Sequence, residues 1–309
     1  MEIDICCPHC HNQLSINLDN LLCVSCRRLF NRNPDGFYLL LDSEVHDPKQ
    51  KQDEIYVKHQ ETYPIRVYKE FLHPLIQQLN ATRLLDVGCG LGMQTHEAIK
   101  DGYDAYGVDL PNMTPHWKAA SRDPMRFMSC SAVSLPFPDN FFDLIWSLGV
   151  VEHIGTAADT ATLVPEFEAY RANYAKELLR VTRPGGKIIV SCPNKTFPID
   201  LQHGPTCGKY FKKLRWSIFN KTGLNIHKTW GQYHLLSYAE TKKLFYQNEA
   251  AGEFKPLPLH GYFGFNKFQT GYLRFIRNAV IWYVNHIPRP LLATFLNPYM
   301  LVQIEKKKK

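Results

Sequence analysis

A glycine-rich turn near residue 90 constrains this chain more than any other feature. The apolar stretch Arg83–Val87 is typical of a short β-strand, and Gly88, Gly90 and Gly92 follow it closely. Glycines at a strand-to-helix turn let a ligand approach the backbone, because no Cβ stands in the way. The segment therefore predicts a ligand-binding loop at the carboxyl end of a buried strand.

Apolar and helix-like stretches alternate on both sides of this turn. Strands are predicted at 83–87, 103–108, 125–130, 142–147, 187–192 and 299–304, and helices at 55–80, 92–101, 160–182 and 237–248. Strands separated by helices form right-handed βαβ units, which give a mostly parallel sheet. We therefore expect an α/β fold with about seven strands and with helices on both faces of the sheet.

The spacing within the turn indicates which ligand it takes. A dinucleotide-binding loop carries a further glycine where this chain has Met93. Asp86, at the end of the strand, would repel a pyrophosphate but suits a cationic amino group, by contact or through water. Asp109 ends the next strand, 21 residues after Gly88, where a carboxylate can accept both hydroxyls of a ribose. An amino-acid group and a ribose without a pyrophosphate loop describe S-adenosylmethionine (SAM).

Over roughly residues 80–195, the order of these segments resembles the class I SAM-dependent methyltransferases, and more narrowly the group that contains quinone and small-molecule methyltransferases. The segments that carry the resemblance are Leu84–Gly92, Gly107–Leu110, Ser131–Phe137, Pro138–Ile145 and Leu178–Val190. The family has a Rossmann-like sheet, so the resemblance agrees with the α/β fold expected from the alternation of elements.

The resemblance also implies that SAM is the cofactor and indicates the residues that hold it. These residues are Asp86, Gly88, Cys89, Gly90, Gly92, Asp109, Leu110, Ser131, Ala132 and Ser147. Ser131 departs from the family pattern, because relatives often have an Asp there, near the adenine amino group. One adenine contact is therefore expected to be weaker, and backbone groups around Ala132 are expected to take it over.

The fourth predicted strand leads into Glu152 and His153, which resemble a family segment between cofactor and acceptor. An acceptor hydroxyl must lose a proton when it is methylated, and histidine is the natural base near neutral pH. His153 is therefore predicted to be a base or a positioning residue; the alternative is a histidine that only hydrogen-bonds within its loop. Glu152 is expected to hydrogen-bond on the SAM side or to cap the following turn, whereas Asp200 and His203 receive no role.

Two C-x-x-C units near the start of the chain, Cys7 with Cys10 and Cys23 with Cys26, are separated by twelve residues. Each unit forms a tight turn that can aim two thiolates at one ion, and two such turns complete a tetrahedral zinc site. A module this small cannot fold on an apolar core alone, so the metal would supply its stability. Structural zinc is therefore predicted, against the alternatives of chance cysteines or an iron site.

A zinc ribbon ahead of a methyltransferase domain resembles two groups of proteins. One group consists of small zinc-ribbon proteins that activate tRNA and protein methyltransferases, and the other of rRNA guanine methyltransferases with an N-terminal ribbon. Both resemblances favour RNA as the methyl acceptor. Against it, residues 1–60 contain six Lys or Arg and nine Asp or Glu, which is a poor surface for phosphates. RNA is therefore the less favoured partner.

The positive charge of the chain lies in its last third. Residues 195–309 contain 18 Lys or Arg and 5 Asp or Glu, a net charge of +13, which leaves −6 for residues 1–194. Such asymmetry favours an anionic partner, although a solvated basic face is the plainer interpretation. The stretch Tyr272–Ile304 mixes aromatic and aliphatic residues with arginines, which suits either a cap subdomain or an interfacial membrane-binding segment.

These patterns predict a zinc-ribbon-like module at residues 1–41, a polar linker at 42–54 and a class I methyltransferase domain at 55–309, with an acceptor-side cap within about 195–298. The predicted function is SAM-dependent methyl transfer to a small-molecule or lipid-like acceptor. A methyltransferase of rRNA or tRNA bases and a non-catalytic SAM-binding or scaffold protein are the alternatives. Because Glu2 and Asp4 do not fit a secretory signal, we expect a cytoplasmic protein, with a peripheral membrane contact.

Overall fold

The computed structural model describes residues 5–17, 19–41, 54–157, 162–200, 202–205, 212–264 and 273–308. The predicted linker lies outside these residues except for its last position. The described strands are β1 (Leu14–Asn17), β2 (Asn20–Cys23), β3 (Leu29–Phe30), β4 (Leu39–Leu40), β5 (Arg83–Val87), β6 (Asp104–Asp109), β7 (Phe127–Cys130), β8 (Phe142–Leu148), β9 (Thr182–Pro193), β10 (Ile199–Asp200), β11 (Asn225–Ile226), β12 (Ala251–Pro256) and β13 (Tyr299–Lys306).

Helices fill most of the connections between these strands. The described α-helices are α1 (Glu54–Val67), α2 (His73–Leu79), α3 (Met93–Lys100), α4 (Thr114–Ala119), α5 (Phe167–Val181), α6 (Lys212–Thr222), α7 (Tyr238–Tyr246) and α8 (Leu273–Asn285). A π-helical turn, Tyr68–Leu72, joins α1 to α2, and 3₁₀ turns lie at Pro111–Met113 and Arg289–Leu291.

Eight strands form the central sheet, in the order β12-β13-β9-β8-β5-β6-β7-β4. The strands from β9 to β4 run parallel to their neighbours, whereas β13 and β12 add antiparallel strands at one edge. Chain order runs outward from β5 through β6 and β7 on one side and through β8 and β9 on the other. The switch point therefore lies between β5 and β8, where ligands of open α/β sheets bind. The predicted α/β, Rossmann-like fold with a mostly parallel sheet is confirmed.

The sheet has one strand more than the seven or so expected from the sequence. Strand β4 is only two residues long and pairs in parallel with β7 through Leu39 and Leu40. A two-residue strand is too short to leave a periodic pattern, so no sequence signal indicated it. As a result, the N-terminal segment extends the central sheet.

Residues 5–41, which we call the N-terminal module, pack directly against the sheet domain. Strands β1, β2 and β3 form a small antiparallel sheet. The backbone N–H of Cys6 donates to the carbonyl of Pro136 at 2.9 Å. Farther along the chain, the ring of Phe37 is buried edge-on against Trp117, with the ring centroids 5.3 Å apart. The module and the sheet domain therefore share buried apolar surface.

The long helix predicted at 160–182 begins later than expected. Helix α5 starts at Phe167, and a backbone bridge between Thr156 and Leu163 holds the preceding segment extended. Pro165 also disfavours a helical conformation for the residue before it. The prediction was therefore wrong for the described residues ahead of Phe167, although the end of the helix is confirmed.

Successive residues of the inner strands pack into two different cores, one on each face of the sheet. In β5, Leu84 joins a core with residues of the α1–α2 segment, such as Leu72. Leu85 and Val87 join the opposite core, which contains residues of α5 such as Leu178. All of these side chains are fully buried. Burial on both faces explains why the central strands are nearly continuous apolar runs.

Candidate active site

The glycine turn after β5 has the backbone conformation that only glycine adopts easily. Gly88, Gly90 and Gly92 have φ angles of +79°, +55° and +71°, in the left-handed region. A Cβ on Gly88 would lie 2.3 Å from Cγ2 of Val150, and one on Gly92 would lie 2.3 Å from the ring of Phe127. The turn therefore packs against Val150, which follows β8, and against Phe127 of β7, and leaves no room for a side chain at Gly88 or Gly92.

Asp109 holds this turn from the end of β6. Its Oδ2 accepts the backbone N–H of Gly90 at 2.6 Å, and its Oδ1 accepts the N–H of Leu110 at 2.7 Å. Each carboxylate oxygen can accept a second hydrogen bond, so two hydroxyl donors can still be accommodated. Burial raises the pKa of Asp109, while the two N–H donors act in the opposite direction. Asp109 lies at the strand end, as the sequence predicts.

Asp86 lies within β5 beneath the glycine turn and is fully buried. Its Oδ2 accepts a hydrogen bond from the Thr95 hydroxyl at 3.0 Å. Burial raises its pKa to about 7, although the hydrogen bond from Thr95 favours the charged form. A nearby cation would lower this pKa again, because it stabilises the carboxylate. Asp86 is therefore poised to respond to a ligand with a cationic amino group.

Three further side chains lie at or beneath the turn, and sequence reasoning did not identify them: Thr95, Gln60 and Trp117. The buried indole of Trp117 donates to the carbonyl of Gly90 at 2.8 Å. The side-chain oxygen of Gln60, on α1, lies 3.2 Å from the position that a Cβ on Gly90 would occupy. Only Thr95 left a sequence signal, as a polar residue on the inner face of the predicted helix after the turn.

The remaining predicted cofactor residues lie along the same edge of the sheet. Ser131 and Ala132 follow directly after β7, and Ser131 forms a backbone bridge with Ser134. Ser147 is fully buried near the end of β8, and Cys89 is buried within the glycine turn. All ten predicted positions therefore lie at the carboxyl ends of β5, β6, β7 and β8, although their individual contacts with SAM stay predictions.

The turn after β8, whose Val150 packs against Gly88, carries Glu152 and His153. Glu152 is fully buried, and neither of its carboxylate oxygens has a hydrogen-bond partner among the described residues. Burial raises the pKa of Glu152 to about 7, and the charge of His203 acts in the opposite direction. A buried carboxylate without hydrogen bonds is costly, so its position indicates a function.

His153 faces a second histidine that comes from beyond β9. Nε2 of His153 lies 3.4 Å from Nε2 of His203. Nδ1 of His203 lies 2.8 Å from Oδ2 of the fully buried Asp200, which also accepts the N–H of Gln202 at 2.8 Å. Burial opposes the charged form of His203, but Asp200 outweighs it and raises the pKa of the imidazole. Sequence reasoning noted Asp200 and His203 without assigning them a role.

His234 completes this group, and sequence reasoning missed it. Its fully buried ring lies edge-on to His203, with centroids 5.0 Å apart, and neither ring nitrogen has a hydrogen-bond partner among the described residues. Burial lowers its pKa to about 3. The buried Arg171 donates to the carbonyls of His234 at 2.6 Å and of Ile154 at 3.2 Å. It thereby ties two distant segments together, and no local pattern could have revealed this.

The four predicted zinc ligands converge in the N-terminal module. The Sγ atoms of Cys7, Cys10, Cys23 and Cys26 all lie within 4.8 Å of one another. The Cys7–Cys26 and Cys10–Cys23 sulfur pairs are 3.6 and 3.4 Å apart. Four sulfurs at about 2.3 Å from one zinc ion would lie about 3.8 Å apart. A hydrogen bond from the N–H of Asn12 lowers the pKa of Cys10 to about 6. The thiol geometry therefore fits a tetrahedral site.

A family model described as a methyltransferase domain matches residues 85–190. Residues 85–190 are a class I methyltransferase domain. The match starts in β5 and ends in β9, so it contains the glycine turn, Asp109 and the turn with Glu152 and His153. Domains of this class take their methyl group from SAM, so SAM is the cofactor of this domain.

Curated proteins are similar to this chain over somewhat more than a third of its length. A 2-methyl-6-phytyl-1,4-hydroquinone methyltransferase of Synechocystis is 32% identical over 114 residues, which are 36% of this chain and 31% of that protein. A probable tRNA methyltransferase 9B of Homo sapiens is 28% identical over 116 residues, 38% of this chain and 22% of that protein. The chain thus spans about a third or less of the length of these relatives.

Among solved structures, the PH0226 protein from Pyrococcus horikoshii superposes with a TM-score of 0.43 at 15% sequence identity. The superposition covers 85% of this chain and 94% of that one.

Proposed function

We propose that the chain is a SAM-dependent methyltransferase that acts on a hydroxyl group of a small, lipid-like acceptor. One observation carries this proposal: the imidazoles of His153, in the turn after β8, and His203 face each other, and His203 is held by the buried Asp200. An acceptor hydroxyl must lose a proton when it is methylated, and imidazole groups assist this loss near neutral pH.

On the cofactor side, the residues fit the parts of SAM. At Gly88 and Gly92 an added Cβ would clash with Val150 or Phe127, so only glycine lets the turn keep this conformation. Asp109 has acceptor capacity for the ribose hydroxyls, and Asp86 is suited to the cationic amino group. When bound, SAM supplies a methyl group on a positively charged sulfur, which is a good leaving group. Ser131 and Ala132, which follow β7, are the residues proposed to contact the adenine.

On the acceptor side, the protein's task is alignment and proton removal. His153 is the base or positioning residue of this proposal. Asp200 fixes the ring of His203 through Nδ1, so Nε2 of His203 is directed towards His153. Arg171 keeps the turn after β8 and the His234 segment together. The acceptor oxygen would thus meet side chains that are already oriented.

The N-terminal cysteines support a second part of the proposal, a structural zinc ion bound by Cys7, Cys10, Cys23 and Cys26. Replacing Cys23 by Ser should remove one equivalent of zinc, measured by elemental analysis, and should lower hydrogen-exchange protection in residues 5–41. The matched control is Cys192→Ser, because Cys192 is buried elsewhere and should leave the zinc content unchanged. A metal-free module with full protection would contradict the proposal.

Helix α8 supports a lipid-like acceptor and a peripheral contact with a membrane. It contains no acidic residue and carries Arg274 and Arg277. Phe275 and Trp282 are 79% and 64% exposed, although such side chains are normally buried. Exposed aromatic side chains beside arginines suit the interface of an anionic bilayer. None of the described helices is long and apolar enough to cross a membrane.

A direct assay tests the acceptor. The full chain is incubated with methyl-labelled SAM and vesicles that contain a lipid-soluble hydroquinone, with ribosomal RNA and tRNA in parallel. We expect label in the hydroquinone, and more of it in anionic than in neutral vesicles. Label in RNA alone would overturn the acceptor proposal in favour of an RNA-base methyltransferase. A protein that binds neither SAM nor S-adenosylhomocysteine would point to a scaffold instead.

Two variants separate the membrane contact from the chemistry. Phe275→Ser combined with Trp282→Ser should weaken vesicle binding in a sedimentation assay and leave SAM affinity unchanged, because both side chains are exposed. Tyr170→Ser, on α5, is the control for removing an exposed aromatic ring, since Tyr170 is 45% exposed. Equal vesicle binding by the wild type, the double variant and Tyr170→Ser would contradict a contact through α8.

A further inference from the structure

Glu152, His153 and His203 form a donor set that proton transfer alone does not require. Glu152 is fully buried without a hydrogen-bond partner among the described residues. One atom of each residue, a carboxylate oxygen or a ring nitrogen, lies within 4.8 Å of the other two. A buried carboxylate is stable when it is paired or bound to a cation. The cluster therefore has the composition of a metal site.

The distance between the two imidazoles matches two ligands of one ion. Nε2 of His153 and Nε2 of His203 are 3.4 Å apart. Two nitrogens bound at about 2.0–2.1 Å in tetrahedral geometry lie about 3.3–3.4 Å apart. One carboxylate and two imidazoles are a common ligand set for divalent transition metals, whereas Mg²⁺ prefers oxygen ligands alone.

The surroundings of His203 also resemble those of a metal ligand. Its other nitrogen, Nδ1, pairs with Asp200 at 2.8 Å, which leaves Nε2 with its lone pair towards the cluster. Metal-binding histidines almost always donate their second N–H to a carboxylate or a carbonyl in this manner. Asp200 is itself fixed by backbone N–H groups, so the ring has one preferred orientation.

We propose that Glu152, His153 and His203 bind one divalent transition-metal ion, and that the acceptor's hydroxyl oxygen takes an open position on it. This inference rests on the proposed function and assigns His153 the positioning role, as a ligand. Three protein ligands leave a coordination position open, as in catalytic metal sites. His153 and His203 are partly exposed, unlike Glu152, so an acceptor can approach from the side of the two histidines.

The metal would act as a Lewis acid and would not change its oxidation state. Coordination lowers the pKa of the bound hydroxyl, and the released proton passes to solvent. The oxygen–methyl bond then forms as the sulfur–methyl bond breaks, and SAM becomes S-adenosylhomocysteine. The negative charge of the oxygen and the positive charge of the sulfonium are both removed in this step, so charge and atoms balance.

Equilibrium dialysis of the full chain against Mn²⁺ tests the site. Mn²⁺ suits carboxylate oxygens and competes poorly for thiolates, so the cysteine cluster contributes little signal. We expect one Mn²⁺ per chain. The variants Glu152→Gln and His203→Ala should bind Mn²⁺ at least ~10-fold more weakly. In Asp200→Asn the affinity for Mn²⁺ should fall about 10- to 100-fold, because the carboxylate that accepts the second N–H of His203 is lost.

The matched control is His260→Ala, because His260 is exposed and lies outside the cluster. It should bind Mn²⁺ like the wild type, and circular dichroism should show that all variants fold. No binding of Mn²⁺, Co²⁺ or Zn²⁺ outside the cysteine cluster would overturn the inference, as would equal Mn²⁺ affinity in the wild type and Glu152→Gln.

The outcome is separable from that of the proposed function. Metal binding that depends on Glu152 and His203, together with no methyl transfer to any hydroxyl acceptor, would support the site and refute the function. Methyl transfer to the hydroquinone by protein that carries only the thiolate-bound metal, as measured by elemental analysis, would support the function and refute the metal site.

Discussion

The cofactor side and the acceptor side of this site are built in opposite ways. On the cofactor side, one short turn between β5 and α3 supplies glycines and backbone groups, and Asp109 holds it from the next strand. On the acceptor side, separate segments contribute the side chains, and Arg171 ties two of these segments together. Local backbone geometry thus shapes one half, and long-range packing shapes the other.

This difference predicts which substitutions damage the cofactor side and which damage the acceptor side. A glycine turn fails when any Cβ is added, because its φ angles are positive and its neighbours are close. The acceptor cluster depends instead on every donor atom. Damage to one half should therefore leave the other half measurable, and the following predictions test that separation.

The largest effect is expected for Gly88→Ala. The new Cβ would lie 2.3 Å from Val150 in a residue with φ of +79°, so the turn must move. SAM affinity should fall by at least ~100-fold, from strain and overpacking together, as measured by calorimetry. Mn²⁺ binding to the acceptor cluster should persist.

The control for Gly88→Ala is Gly102→Ala. Gly102 also has a positive φ, +88°, but nothing lies within 4 Å of the added Cβ. It should lose about 1–2 kcal/mol of stability through backbone strain while SAM affinity stays at the wild-type level. If both variants lost SAM affinity equally, the close contact with Val150 would not be the cause.

The next effect concerns the acceptor half alone. His203→Gln should lower kcat by ~10²–10⁴-fold, the range typical of a lost acid–base or positioning group, while the Kd for SAM stays unchanged. His260→Gln, at an exposed position, is the control for the loss of an imidazole. A parallel loss of SAM affinity in His203→Gln would show that the two halves are not independent.

A smaller effect is expected for Asp109→Ala, which removes the acceptor proposed for the ribose. SAM binding should weaken by about 1–3 kcal/mol, the cost of a lost hydrogen bond to a charged group. Asp104→Ala lies at the other end of β6 and removes ion pairs with Arg83 and Arg126. It should reduce stability without changing SAM affinity, and unchanged affinity in Asp109→Ala would refute the ribose contact.

The smallest effect is a proton linked to SAM binding. Asp86 has a pKa of about 7 because it is buried, so it is largely protonated at pH 6, and a cationic amino group should drive its ionisation. SAM binding should therefore release up to about one proton near pH 6 and less above pH 8. Calorimetry in buffers with different ionisation enthalpies measures this release, and Asp86→Asn should abolish it.

The raised pKa of Asp86 also predicts how the free energy of unfolding changes with pH. The pKa of Asp86 is raised above its ordinary value, so its contribution to folding is present at low pH and is lost as the pH rises towards 7. Asp86→Asn should consequently make the unfolding free energy less dependent on pH between about 4 and 7. An unchanged pH profile would mean that Asp86 stays ionised in the folded protein.

The sequence alone determined the parts that follow from local geometry. The apolar run 83–87, the three glycines and the following Asp109 predicted the strands, the turn and the cofactor. All of these depend on residues close together in the chain. The C-x-x-C pairs predicted the cysteine cluster for the same reason, because each pair forms its own turn.

Only the tertiary structure decided the acceptor side. The chain separates Glu152 from His234 by 82 residues, and no periodic pattern records that their segments meet beside His203. The strand β4 and the contact of Phe37 with Trp117 were hidden in the same way, because two residues or one side chain leave no repeat. Such contacts arise when the sheet and helices pack, since burial and hydrogen bonding between distant segments select them.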